Sequence, residues 1–155
     1  MLLKRTLTAA VALLISSTTL ADQNSLFVQK YLNSFASRDA EGIFALINWE
    51  GVEKKEAKAL KKYIKSGFRG RQIRRIYIEP VDNNVNPSYI REGKTYELNL
   101  IPSGTLNIVY ISNNGKRTTN QLYVGQHDGE MLIGSGVPAP ESLACTDTTS
   151  KTKSC

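Results

Sequence analysis

The sequence predicts an α+β domain in which N-terminal helices pack in a curved antiparallel sheet. Three observations carry that reading. Between Leu26 and Phe68 the apolar residues recur at the three- and four-residue spacing of helical faces. From Ile73 onward the period drops to two. Clusters of Asn, Asp and Gly then separate the alternating runs, as antiparallel hairpins require.

The chain opens with Lys4 and Arg5, an apolar run from Leu7 to Ile15, and the small and polar residues Ser16 to Ala21. That order is that of a cleaved export signal over residues 1–21, with Thr19 and Ala21 at the two specificity positions. The apolar run is shorter than the ~20 residues of a transmembrane helix. No cysteine follows it to carry a lipid, since Cys145 and Cys155 both lie at the far end. The expectation is a periplasmic or secreted protein whose mature chain starts near Asp22. Removing 21 of the 155 residues leaves 134, enough for one core, and the 20 basic side chains fall to 18 against 14 acidic ones, a net charge of +4.

Ser25 or Asn24 is placed to cap a first helix over Leu26–Ala36, with Phe27, Val28, Tyr31, Leu32 and Phe35 on one face. Asp39 caps a short second helix through Phe44, Leu46 and Ile47, which ends at the Trp49-Glu50-Gly51 break. A third helix runs from about Val52 to Ser66 and stops at Gly67. At about 100° per residue, Lys54, Lys58, Lys61 and Lys65 form one stripe on it, and Ala57, Leu60, Ile64 and Phe68 form another. Each like-charged pair costs about 0.2–0.5 kcal/mol in an isolated helix, so burial of the apolar stripe must outweigh that repulsion.

The strands expected next are Ile73–Glu79, Thr95–Ile101, Leu106–Ile111, Thr118–Val124 and Met131–Gly134, with Tyr89–Arg91 as a weaker sixth. Tyr96, Leu98 and Leu100 alternate with Thr95, Glu97 and Asn99, and Leu106, Ile108 and Tyr110 alternate with Thr105 and Asn107, so each strand has one buried face. Asn113-Asn114-Gly115 and Asp128-Gly129 supply residues that tolerate positive φ and read as hairpin turns. Pro80 to Pro87 has no period and reads as a loop. Residues 22–138 therefore form one domain, and residues 139–155 form a Ser-, Thr- and Lys-rich tail. In an oxidising compartment Cys145 and Cys155 either close a small disulfide ring, worth at most roughly 3 kcal/mol, or stay unpaired in a disordered tail.

Val28 to Ile47 (VQKYLNSFASRDAEGIFALI) and Tyr123 to Pro138 (YVGQHDGEMLIGSGVP) resemble the nuclear transport factor two-like superfamily of cone-shaped, cystatin-like domains, which includes the SnoaL-like polyketide cyclases. The likeness spans about residues 25–138 and lies in pattern, not in catalytic signatures. It implies a sheet wrapped around the long helix with a conical cavity inside, a cavity that different members use for isomerisation, epoxide hydrolysis, cyclisation, ligand binding or protein docking. It also implies a homodimer through the open sheet face. The chain departs from the pattern in offering only Trp49 to Val52 where members carry a hairpin between the second and third helices.

The chemistry is sparse. His127, the only histidine, sits beside Asp128 where a turn is required, so a solvated turn explains it better than acid–base work. Nothing at ligand spacing accompanies it, and no metal or cofactor is expected. Glu79, Glu97 and Glu130 alternate with apolar neighbours and point outward, and no catalytic residue transfers from the family. Tyr31, Trp49, Tyr96 and Tyr110 can line a pocket, with Arg91 at its mouth, or can simply pack the core. Lys54, Lys58, Lys61 and Lys65, followed by Arg69 and Arg71, offer a basic surface to acidic lipid headgroups, or a merely solvated helix face. The sequence thus predicts an exported, non-enzymatic domain that binds a small hydrophobic ligand or an envelope protein and no nucleic acid. A SnoaL-like enzyme and an anionic-surface binder are the alternatives.

Overall fold

The computed structural model describes residues 20–81 and 87–140, so the expected export signal up to Thr19, the middle of the Pro80–Pro87 loop and both cysteines lie outside the described residues. Three helices come first, α1 (Leu20–Ala36), α2 (Ala40–Phe44) and α3 (Lys54–Gly67). The strands follow as β1 (Arg71–Pro80), β2 (Ser88–Arg91), β3 (Lys94–Leu98), β4 (Gly104–Ser112), β5 (Arg117–His127), β6 (Glu130–Ile133) and β7 (Gly136–Pro138). Helices cover one face of a curled antiparallel sheet, the α+β arrangement expected from the change of period.

α1 starts six residues earlier than expected, so Asn24 and Ser25 lie inside it and cap nothing. Asp22 in its first turn suits the positive end of the helix dipole, which favours this extension. Phe27 and Tyr31 are its buried residues, with Val28 and Phe35 partly covered beside them. The chain then turns through Arg38, whose φ of 57° is left-handed, into the Asp39 cap, where Asp39 Oδ1 accepts from the Gly42 amide at 3.0 Å.

α2 ends at Phe44, before the expected Leu46 and Ile47. Sheet pairing outcompetes the helix there. Ile47 forms a parallel bridge with Ile133, the Ile133 amide donates to the Leu46 carbonyl at 2.8 Å, and the Asn48 amide donates to the Ile133 carbonyl at 2.9 Å. α3 agrees with expectation to within two residues at its start. Its Leu60 and Ile64 pack against the core only in part, and it holds no fully buried side chain.

The strands divide into two antiparallel sheets, β1-β4-β5-β6 and β2-β3-β7. The division and β7 are not expected from sequence. The strand from Thr95 stops at Leu98 because Asn99 leaves the ladder for a different set of partners. The weaker strand is real, joined to β3 through Glu92 and Gly93, whose φ values of 52° and 74° make the two-residue turn that matches strand twist. Asp128 and Gly129, at 49° and 82°, do the same between β5 and β6. A bulge between Ile73 and Arg75 bends β1. At Gly125 any Cβ would collide with the Ile101 carbonyl, so only glycine lets β5 pass that close.

Leu106, Ile108 and Val124 are wholly buried on the inner face, with Tyr110 and Ile133 nearby, and Phe27, Tyr31, Ile43 and Ile47 close over them. The two sheets are fastened behind this core by an asparagine clasp. Asn48 Nδ2 donates to the Asn99 carbonyl at 3.0 Å, and Asn99 Nδ2 donates back to the Asn48 carbonyl at 2.9 Å and to the Glu50 carbonyl at 2.8 Å. Asn99 Oδ1 accepts from the Ser135 amide at 2.8 Å, which fixes the corner between β6 and β7.

Candidate ligand-binding cavity

Because α3 meets the sheet through half-buried side chains, space remains beneath it. A cavity of about 460 Å³ opens there, within the range of small-molecule sites. Leu60, Ile64, Ile47, Leu122 and Ile133 give it an apolar middle. Its two polar ends lie at opposite ends of α3, from Glu56 to Phe68, about 18 Å apart along the axis at ~1.5 Å per residue.

One end is built on α1, β4 and β1. Tyr31 and Tyr110 share a buried hydrogen bond between hydroxyls at 3.1 Å. Burial raises the pKa of both phenols above the ordinary tyrosine value, and for Tyr31 the neighbouring Tyr110 adds to the shift. Both are therefore neutral donors. Their shared bond uses one O–H, which leaves the other available to an incoming acceptor. Arg71 stands beside them, its guanidinium carbon 6.0 Å from the centre of the Tyr110 ring. Among the described residues no carboxylate forms an ion pair with it. Phe35 packs against both Phe68 and Tyr110, at 5.4 and 5.5 Å between ring centres. Beyond it lies a second cavity of about 430 Å³, bordered by Arg38, Gln72, Asn113 and the other side of Arg71.

The other end is built on the start of α3, β2 and the β6–β7 corner. Glu56, the only carboxylate in the lining among the described residues, is held by Arg91 through an ion pair. That hydrogen bond lowers the pKa of Glu56 and raises that of Arg91. Arg91 lies 5.3 Å over the Tyr96 ring, and Tyr96 stacks on Tyr89 at 5.4 Å and 10°. Tyr89 borders the cavity and presses against Gly136, where a Cβ would collide with its hydroxyl. Ser135 completes this end. Its backbone is bound to Asn99, and its hydroxyl is covered from the cavity and has no partner among the described residues.

The residues proposed from sequence therefore separate. Tyr31 and Tyr110 reach the cavity and meet each other. Arg91 and Tyr96 stand behind the wall through Glu56 and Tyr89. Trp49 lies outside the lining, with its indole N–H donating to the Phe44 carbonyl at 2.8 Å and its ring edge-on to Phe44. Within the basic set, Arg71 differs from the rest. Lys61 covers both the Phe44 and Trp49 rings at 5.1 and 5.2 Å, and Lys65 covers Phe44 at 5.6 Å. Lys54, Lys58 and Arg69 are exposed, whereas Arg71 turns inward. His127 contacts Glu50 at 3.2 Å and, with Glu97, stays away from the cavity.

Sequence reasoning missed Glu56, Ser135 and the inward direction of Arg71. Two of them carried a readable signal. Glu56 precedes Leu60, Ile64 and Phe68 in successive steps of four, which places it on the apolar row of α3. Arg71 alternates with Ile73 and so shares its inner side. Ser135 gave none, because its role depends on the corner made by β7.

No known family profile matches the chain, and no curated protein matches it. Solved structures similar to it include a protein of Campylobacter jejuni assigned as a nuclear transport factor two-like transpeptidase, with 14% identity, a TM-score of 0.41, and coverage of 71% of this chain and 96% of that one. Another is a protein of Xanthomonas campestris assigned as a calcium/calmodulin-dependent protein kinase II association domain, with 14% identity, a TM-score of 0.39, and coverage of 90% and 99%. The likeness is one of fold.

Proposed function

We propose that this chain is an exported binding domain that holds a small, largely apolar molecule in the cavity under α3. The single observation that supports this reading most is an apolar chamber of about 460 Å³ bounded by polar groups that donate hydrogen bonds. Its titratable groups suit holding better than turnover. The phenols of Tyr31 and Tyr110 stay protonated, and Glu56 is engaged by Arg91. The leader-like residues 1–21 support action outside the cytoplasm.

The test is titration with the neutral fluorophore N-phenyl-1-naphthylamine. Wild-type protein binds it saturably with one site per chain, and Ile64→Trp, which fills the chamber from the partly exposed α3, abolishes binding with unchanged circular dichroism. Absence of saturable binding, or binding that Ile64→Trp leaves intact, refutes the cavity as the site.

A further inference from the structure

The two ends of the chamber differ in what they lack. Among the described residues, the Tyr110 end holds a cation with no anion, whereas at the other end Glu56 is already paired with Arg91. Glu56 cannot neutralise Arg71, because it lies at the far end of α3 and is already bound to Arg91. Of the cavity's charges, that leaves Arg71 uncompensated.

Resting on the binding reading above, we propose that the ligand is a single-chain monocarboxylate, its head between the Arg71 guanidinium and the Tyr31–Tyr110 phenols and its body along Ile64 and Ile133. A carboxylate fits the first end on three counts. It is planar, as the guanidinium fork is, and accepts two parallel bonds from it. It carries one negative charge, which one arginine balances. It accepts the spare phenolic O–H, which both tyrosines retain because they stay neutral. A phosphate dianion would bring a second charge for which the lining holds no second free cation. An amine head would face Arg71 with like charge.

The experiment is competition for N-phenyl-1-naphthylamine in the full-length chain by decanoate, decanol and decylamine. Decanoate competes at least tenfold more tightly than decanol or decylamine, which is about 1.4 kcal/mol. Arg71→Gln reduces that preference to within about threefold, Arg71→Lys retains part of it, and Tyr110→Phe weakens decanoate while sparing decanol. If decanol equals decanoate, or if Arg71→Gln keeps the preference, the carboxylate head is wrong even though fluorophore binding upholds the cavity. Failure of the fluorophore to bind at all refutes the binding reading itself, and the proposal with it.

Discussion

Replacing Asn99 with alanine separates a clasp that merely decorates the fold from one that fixes the back wall of the cavity. The side chain makes three bonds, to the Asn48 and Glu50 carbonyls at 2.9 and 2.8 Å and from the Ser135 amide at 2.8 Å. At about 0.5–1.5 kcal/mol each, their loss amounts to ~1.5–4.5 kcal/mol, and the partly buried groups left behind favour the upper half, near 3 kcal/mol. With a urea dependence of about 2 kcal/mol per molar for a small domain, the midpoint should fall by about 1.5 M. Trp49 is the only tryptophan and lies one residue from Asn48, so its fluorescence reports on the clasp while far-ultraviolet circular dichroism reports on the whole. Coincident transitions license the comparison. Asn99→Asp is a second arm, because it keeps the acceptor for Ser135 but turns a carboxylate oxygen on two carbonyls, and it should be at least as destabilising. A midpoint for Asn99→Ala within about 0.3 M of wild type would show that water replaces the three bonds at no cost, and the argument that the clasp holds Ser135 in place would fail.

Other outcomes follow from the same structure. Ile108→Ala, at a wholly buried site, should cost about 2–5 kcal/mol in urea unfolding, at the high end if the curved sheet cannot collapse into the gap. Because burial raises the pKa of Tyr31 and Tyr110 above that of unfolded tyrosine, their contribution is intact below ~10 and is lost as pH rises beyond it. Absorbance of phenolate should therefore show ionisation that extends above the ordinary tyrosine range, and Tyr110→Phe should diminish it. Glu56 is lowered by Arg91, so the pair's favourable contribution is present above the unfolded value near ~4.3 and is lost as pH falls through the lower folded value. Carbon-13 chemical shifts of the Glu56 carboxyl should place its midpoint below ~4.3 in wild type and return it to that value in Arg91→Ala. Intact-mass measurement of protein from an envelope fraction should find a chain beginning at Asp22, and a chain retaining Met1 would contradict export with cleavage.

What could be read from the sequence was whatever is local. Asp39 announces its helix because the cap is three residues from the amide it binds, and Leu106, Ile108 and Tyr110 announce their inner face by period alone. The Asp128-Gly129 turn declares itself through the backbone freedom it needs. The parts that make the cavity are long-range. Glu56 and Arg91 are 35 residues apart, Tyr31 and Tyr110 are 79 apart, and the clasp joins Asn48 to Asn99 across 51. No spacing rule links such pairs, so Tyr31 and Tyr110 could be suspected singly but not as a pair. Trp49 misled for a related reason: an amphipathic aromatic suits a pocket, a core or an edge equally well, and Phe44 with Lys61 supplies the edge.

The shallow seating of α3 bears on how anything reaches the chamber. A helix rooted by Leu60 and Ile64, neither of them fully covered, can swing outward without disturbing Leu106, Ile108 or Val124, so a molecule need not wait for the core to unfold before it enters or leaves. Amide protons along residues 54–67 should then exchange with deuterium ahead of those in β4, and filling the chamber should slow them first.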